Sequence, residues 1–153
     1  MALLLRRCLL LIIAALLTGC GEAPYDDGLL KHQVTGLVTV NGQPLDRVIV
    51  RFQSTDSSKT GNAAQPVGVT DAEGKFALST SADEDGAVAG EYVVTFLRTA
   101  KNSESGDDMF RNRFTKPAQS KHRVTVPDHD LEVPPIHLEV PAAWLTAAPR
   151  EED

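Results

Sequence analysis

Cys20 is the residue whose type and setting point most directly to covalent chemistry. It follows Leu17-Thr18-Gly19, and the other cysteine, Cys8, lies upstream in an apolar stretch, so the two are not placed to form a disulfide in a folded domain. Four histidines, His32, His122, His129 and His137, could ligate a metal, but none stands in an H-x-H or H-x-x-x-H spacing and no cysteine is available to join them. His122 and His137 fall on the outward phase of two late strands and come nearest to forming a pair. The expectation is surface histidines and no metal. Asp83-Glu84-Asp85-Gly86 offers carboxylates, yet its glycine and the distal acid are not at EF-hand positions, so a solvated acidic loop is expected. Ser79, Ser81, Ser105 and Ser120 lie outside any G-x-S-x-G elbow. Asp107 and Asp108 are adjacent, and their side chains diverge on any regular element, so they cannot flank one substrate atom. These readings predict no enzyme and no cofactor.

Phe110-Arg111-Asn112-Arg113-Phe114 is the remaining constellation. Aromatic rings beside arginines are typical of binding hot spots, which makes Phe110, Arg111, Arg113 and Phe114 a candidate binding loop. The competing expectation, and the favoured one, is a cover: a short helix begun by Asp107 and Asp108 at its N-terminal dipole, with Phe110 and Phe114 one turn apart over Val93, Leu97 and Ile49. The surrounding 22-residue connection, 99–120, is long enough to need some order of its own.

The setting of Cys20 is a lipobox. Arg6 and Arg7 precede an apolar run, Leu9 to Leu17, too short for the roughly 20 residues that cross a hydrocarbon core of about 30 Å. Residues 1–19 resemble bacterial lipoprotein signal peptides, with Leu17, Thr18, Gly19 and Cys20 forming the cleavage motif. The resemblance implies diacylglycerol on the Cys20 sulfur, cleavage before Cys20 and acylation of the new amino terminus. Several acyl chains hold a protein on a membrane where one does not. Gly21, in place of the aspartate that retains enterobacterial lipoproteins at the inner membrane, implies an outer-membrane or periplasm-facing address. Arg6 and Arg7 leave with the leader, so the 15 basic residues fall to 13 against 21 acidic ones, and the formal charge goes from −6 to −8. That balance argues against nucleic acid and against an anionic bilayer as partners, because both need a basic patch. The membrane is expected to be reached through the lipid on Cys20, and residues 20–32 read as its tether.

The rest of the mature chain must position whatever site exists. Val34 to Val40 and Val48 to Phe52 alternate apolar and polar residues about Asn41-Gly42, which predicts a β-hairpin with Val34, Gly36, Val38, Val40, Val48, Val50 and Phe52 inward. Asp71-Ala72-Glu73-Gly74 predicts a second hairpin, with Phe76 and Leu78 inward. Glu91 to Arg98 is apolar on both faces and therefore central or covered. Lys121 to Val126 and Pro135 to Val140 complete seven strands, the last beginning at an edge or after Pro134-Pro135. The predicted architecture is all-β, a seven-stranded antiparallel Greek-key-type sandwich over residues 33–140, with an acidic tail at 141–153 in which Trp144 and Leu145 dock locally.

Thr35-Gly36, Asn41-Gly42-Gln43-Pro44-Leu45, Thr70 to Phe76 and Gly90-Glu91-Tyr92-Val93-Val94 resemble the carboxypeptidase regulatory-like, transthyretin-like sandwich, and with the lipobox the chain is similar to planctomycete lipoproteins of that type. Those motifs specify fold and not chemistry. The purine-pathway hydrolase of that fold class carries a C-terminal Tyr-Arg-Gly-Ser signature that is absent here. The expected function is a non-catalytic, lipid-anchored structural, presentation or protein-binding module that meets an envelope protein or glycan. The alternative is a carbohydrate- or peptide-binding accessory lipoprotein, although only Trp144, Tyr25 and Tyr92 offer indole or phenol rings and none is patterned along one strand face.

Overall fold

The structure is a computed structural model that describes residues 27–99 and 107–145. Along them run β1 (Lys31–His32), β2 (Val34–Val40), β3 (Gln43–Pro44), β4 (Val48–Ser54), α1 (Gly61–Ala64), β5 (Val67–Val69), β6 (Lys75–Ala77), β7 (Ala87–Val88) and β8 (Gly90–Arg98). A 3-10 turn (Pro117–Gln119), β9 (Arg123–Val126), β10 (Leu131–Glu132), β11 (Ile136–Leu138) and α2 (Ala142–Leu145) follow. The predicted leader, Cys20, the part of the predicted tether before Asp27 and the part of the predicted tail beyond Leu145 lie outside the described residues.

The fold is all-β. In one sheet β2 is central, with β6 and β3 on one side and β10 and β11 on the other; the second sheet runs β5-β4-β8-β9. A small ribbon pairs β1 with β7. Alternation puts Val34, Val38 and Val40 of β2, Val48, Val50 and Phe52 of β4, and Tyr92, Val94 and Phe96 of β8 into one shared core, and each is essentially inaccessible. Phe76 and Leu78 join them as expected. The Phe76 ring lies over Gly36, where a Cβ would come within 2.7 Å of it, so glycine is needed there for packing.

The first predicted hairpin is not one. Asn41 (φ 51°) and Gly42 (φ 78°) do reverse the chain, but the return strand is only β3, pairing Val40 with Gln43 and Thr39 with Pro44. The place beside the rest of β2 is taken by Gly74, whose carbonyl accepts from the Val38 N–H, and by β6. Pro44 has no N–H to continue a ladder, and the chain crosses to the other sheet through Arg47 at φ 58°. Thr70, almost fully buried, holds this corner by donating to the Leu45 carbonyl (2.6 Å) and accepting from the Val48 N–H (2.9 Å).

The second predicted hairpin is formed at its two ends, where the Asp71 N–H donates to the Lys75 carbonyl and Val67 and Ser79 exchange backbone hydrogen bonds, but its arms belong to different sheets. Asp71 staples its turn by accepting from the Glu73 and Lys75 N–H groups, yet β5 then pairs with β4 and β6 with β2. The expected antiparallel arrangement also fails at the last strands, since β10 and β11 run parallel to β2. From β9, in the second sheet, the chain crosses over and enters the first at the Val34 end of β2, in β2's own direction. Pro134 and Pro135 split that edge into two strands, and the register moves from Leu131↔Val34 to Ile136↔Val38, one extra residue around the buried Val133. As the prolines predict, the last strand begins after them, at an edge.

Candidate functional site

The candidate binding loop lies where β8 ends. Asp108 organises it: one carboxylate oxygen accepts from the Arg98 and Phe110 N–H groups and the other from the Asn112 N–H. Arg111 (φ 54°) and Asn112 (φ 59°) take left-handed conformations, so the predicted short helix is instead a series of turns. Met109 N–H donates to the Arg98 carbonyl, and Phe96 N–H donates to the Phe114 carbonyl, which holds the loop against the strand.

The aromatic residues are structural, but not where expected. Phe110 is fully buried, and it meets Phe114 edge-on at 5.7 Å between ring centroids. Phe114 in turn meets Phe96 at 6.5 Å. Phe96 points into the sandwich, so the two rings plug the core from its side and do not cover Val93, Leu97 and Ile49 on the outer face. Val93 and Thr95 are buried because β8 lies between β4 and β9, with Arg51, Gln53 and Arg123 as cross-strand neighbours.

Arg111 and Arg113 are exposed, and among the described residues no carboxylate lies within ion-pair distance of either guanidinium. Arg111 stacks over Trp144 at 5.0 Å and Arg113 over Phe114 at 5.7 Å. Trp144 is brought there by Asn41, which makes a two-point clasp with Val140: its amide donates to the carbonyl (2.9 Å) and its oxygen accepts from the N–H (3.0 Å). Trp144 N–H then donates to the Pro141 carbonyl in α2, and Trp144 and Leu145 pack on the core edge. Between the loop and this chain lies an open cleft of about 480 Å³ lined by Asn41, Arg113, Glu139, Val140 and Pro141. Guanidiniums beside an indole suit a ligand with an anionic or hydroxyl-bearing edge and an apolar face. Beneath, Arg98 donates through Nε to the Asp46 carbonyl (2.8 Å) and pairs with its carboxylate (2.7 Å), holding that carboxyl below its usual range.

The histidines are not brought together: His137 lies on β11, with Nδ1 2.6 Å from Thr39 Oγ1, while His122 precedes β9 in the other sheet. His122 stands edge-on to Phe96, and burial pushes its pKa below the ordinary value. The acidic loop also differs from expectation. Asp85 is not free in solvent; it accepts from the Thr80, Ser81 and Ala82 N–H groups and pairs with Lys31 at 2.9 Å. Lys31 also pairs with Asp27 at 2.8 Å, and the Ser81 hydroxyl donates to the same Asp27 carboxylate. Hydrogen bonds from Lys31, Ser81 and the Leu29 backbone bring Asp27 down to about 2. Residues 31 and 32, read from sequence as tether, thus form β1 and belong to the folded body.

No protein family and no curated protein matches the sequence. Among solved structures the chain is similar to a DUF3823 family protein from Parabacteroides merdae (19% identity, 72% of this chain and 46% of that one, TM-score 0.39). It is also similar to a 9R-lipoxygenase from Cyanothece (11%, 71% and 16%, TM-score 0.37) and to a candidate carbohydrate-binding protein from Pseudomonas aeruginosa (12%, 73% and 90%, TM-score 0.36). The chain spans less than half the length of the first. No family match supports the narrower carboxypeptidase regulatory-like assignment, and what stands is an all-β chain of sandwich type.

Proposed function

We propose that this protein is a lipid-anchored module of the bacterial cell envelope, held to the membrane by acyl chains on Cys20 and presenting its β-sandwich without catalysing a reaction. The observation that carries this reading is the spacing between the lipobox and the folded body. Cys20 is seven residues before Asp27, where the ion-paired part of the domain begins, so the connection can reach at most about 25 Å. This is shorter than a tether running to residue 32 and supports a domain held close to the surface that would bear the lipid. Replacing Cys20 tests it: in Cys20→Ser the protein leaves the membrane fraction, read by fractionation and immunoblotting, and the variant remaining in membranes at the native level refutes the anchor.

A second reading is favoured by the stack of Arg111 on Trp144 beside an open cleft. In it the module is an accessory binder of an envelope glycan or peptide, and the cleft is the contact. The two readings are compatible, since an anchor at one end leaves the other end free to bind.

A further inference from the structure

Three large apolar side chains are clearly exposed among the described residues: Leu29 (40%), Leu30 (75%) and Val69 (54%). Val69 stands alone on an edge strand, but the leucines are consecutive and sit on a turn that is held in place. Asp27 accepts from the Leu29 N–H at 3.0 Å, Gly28 turns the chain at φ 70°, and the Asp27 carboxylate is itself fixed by Lys31 and Ser81. An apolar pair fixed outward in this way forgoes burial that would be favourable, which is the mark of a contact made with something outside the domain.

We propose that Leu29 and Leu30 insert into the boundary between headgroups and acyl chains of the membrane that carries the Cys20 lipid, so that the domain stands on the bilayer by its β1–β7 end. This rests on the lipidation reading. The short connection from Cys20 to Asp27 brings the leucines within reach of the lipid surface, and no other described part of the domain follows the anchor so closely. Charge narrows the kind of surface. Lys31 is occupied by Asp27 and Asp85, while Asp83 and Glu84 are exposed on the loop that contacts this turn, so the site suits neutral, zwitterionic headgroups and is opposed by anionic ones. Seating this end on the membrane turns the cleft lined by Asn41 and Arg113 away from it, because the cleft lies past the far end of β2, whose seven residues span about 20 Å.

The test uses full-length, natively processed protein carrying Leu30→Cys, labelled at that thiol with an environment-sensitive fluorophore and reconstituted into phosphatidylcholine vesicles with and without brominated lipid. Acylation leaves Cys20 without a free thiol, so the label is unique; an Ala142→Cys protein labelled in the same way reports the cleft end. Insertion predicts a blue-shifted emission at position 30 that brominated lipid quenches, neither effect at position 142, and a smaller shift when anionic lipid is added. A position-30 label with aqueous emission overturns the proposal, and so does a blue-shifted label that brominated lipid leaves unquenched, which would mean that protein covers the leucines. Mass spectrometry of the amino-terminal peptide separates the two claims. A lipidated peptide with an aqueous label refutes insertion and leaves the anchor standing, whereas an unlipidated peptide removes the anchor and the insertion with it.

Discussion

At the end of the sandwich where the described chain begins, a lysine and two aspartates are engaged with one another and two leucines face outward. At the opposite end, Phe110 is fully buried while Arg111 and Arg113 are exposed. Each end therefore ties down one group of side chains and presents another. Where charges are turned inward they are paired and hydrogen-bonded, as partly desolvated charges must be, and where they are turned outward they remain available. The difference separates what stabilises from what can contact a partner. At the first end the polar cluster stabilises and the apolar pair is free; at the second the rings stabilise and the cations are free.

Breaking the stabilising half of the far end has the largest expected effect. Phe110→Ala removes a fully buried ring from the edge-on series Phe110, Phe114, Phe96 and costs about 3–5 kcal/mol, against a total of about 5–15 for a domain. Urea unfolding with an unchanged slope and a lowered midpoint is the expected result; a midpoint equal to wild type would mean that the ring does not plug the core.

The near end is broken more gently, and by acid. Lys31 and Ser81 hold the Asp27 pKa near 2, below its ordinary 3.8, and Asp85 is lowered as well, by Lys31 and by backbone donors working against burial. A carboxylate that binds protons less readily when folded contributes stability at pH values above its unfolded pKa, and that stability is lost as pH falls through the folded value. The melting temperature of the wild type should therefore decline between about pH 4 and pH 2. Lys31→Met lowers it already at neutral pH and flattens the decline, because the two aspartates lose their shared partner. A variant with the same acid profile as wild type would show that Lys31 does not hold the latch.

These contrasts also explain how much could be read from the chain alone. The inward valines of β2 and β4, the Asn41-Gly42 and Asp71–Gly74 turns and the edge position of the strand after Pro134-Pro135 are local features, and local features were legible. Strand partners were not. Val34–Val40 and Val48–Phe52 alternate in the same way whether they pair side by side or face each other across a core, and only Pro44 and the competing β6 decide between these. Composition singles out the candidate loop at 110–114, but contacts between distant positions are not legible at either end: beside the loop Asn41 clasps Val140 across 99 positions, and at the β1–β7 end Ser81 reaches Asp27 across 54. Asp85 reads as solvated in the sequence because its donors are the backbone N–H groups of Thr80, Ser81 and Ala82, which side-chain type does not reveal.

The smallest expected effect on stability is the one that bears most on function. Arg111 adopts φ 54°, where alanine would add backbone strain of its own, so asparagine, which tolerates that conformation, is the cleaner replacement. Arg111→Asn forfeits the stack on Trp144, worth about 0.5–1 kcal/mol at an exposed site, and Arg113→Gln forfeits less, because the adjacent Phe114 stays packed through Phe96 and Phe110. Both variants should melt within a few degrees of wild type. If the cleft is a contact, each nevertheless weakens retention of the protein on immobilised envelope glycan or peptidoglycan-derived peptide, and the double variant weakens it further, since charge-assisted hydrogen bonds to a ligand count for more than the exposed stacks they replace. Unchanged retention with an unchanged melting temperature would make the arginines ordinary solvated residues and leave anchoring and presentation as the whole of the proposed role. Lost retention with an unchanged melting temperature would separate the two ends functionally, one to seat the domain and the other to bind.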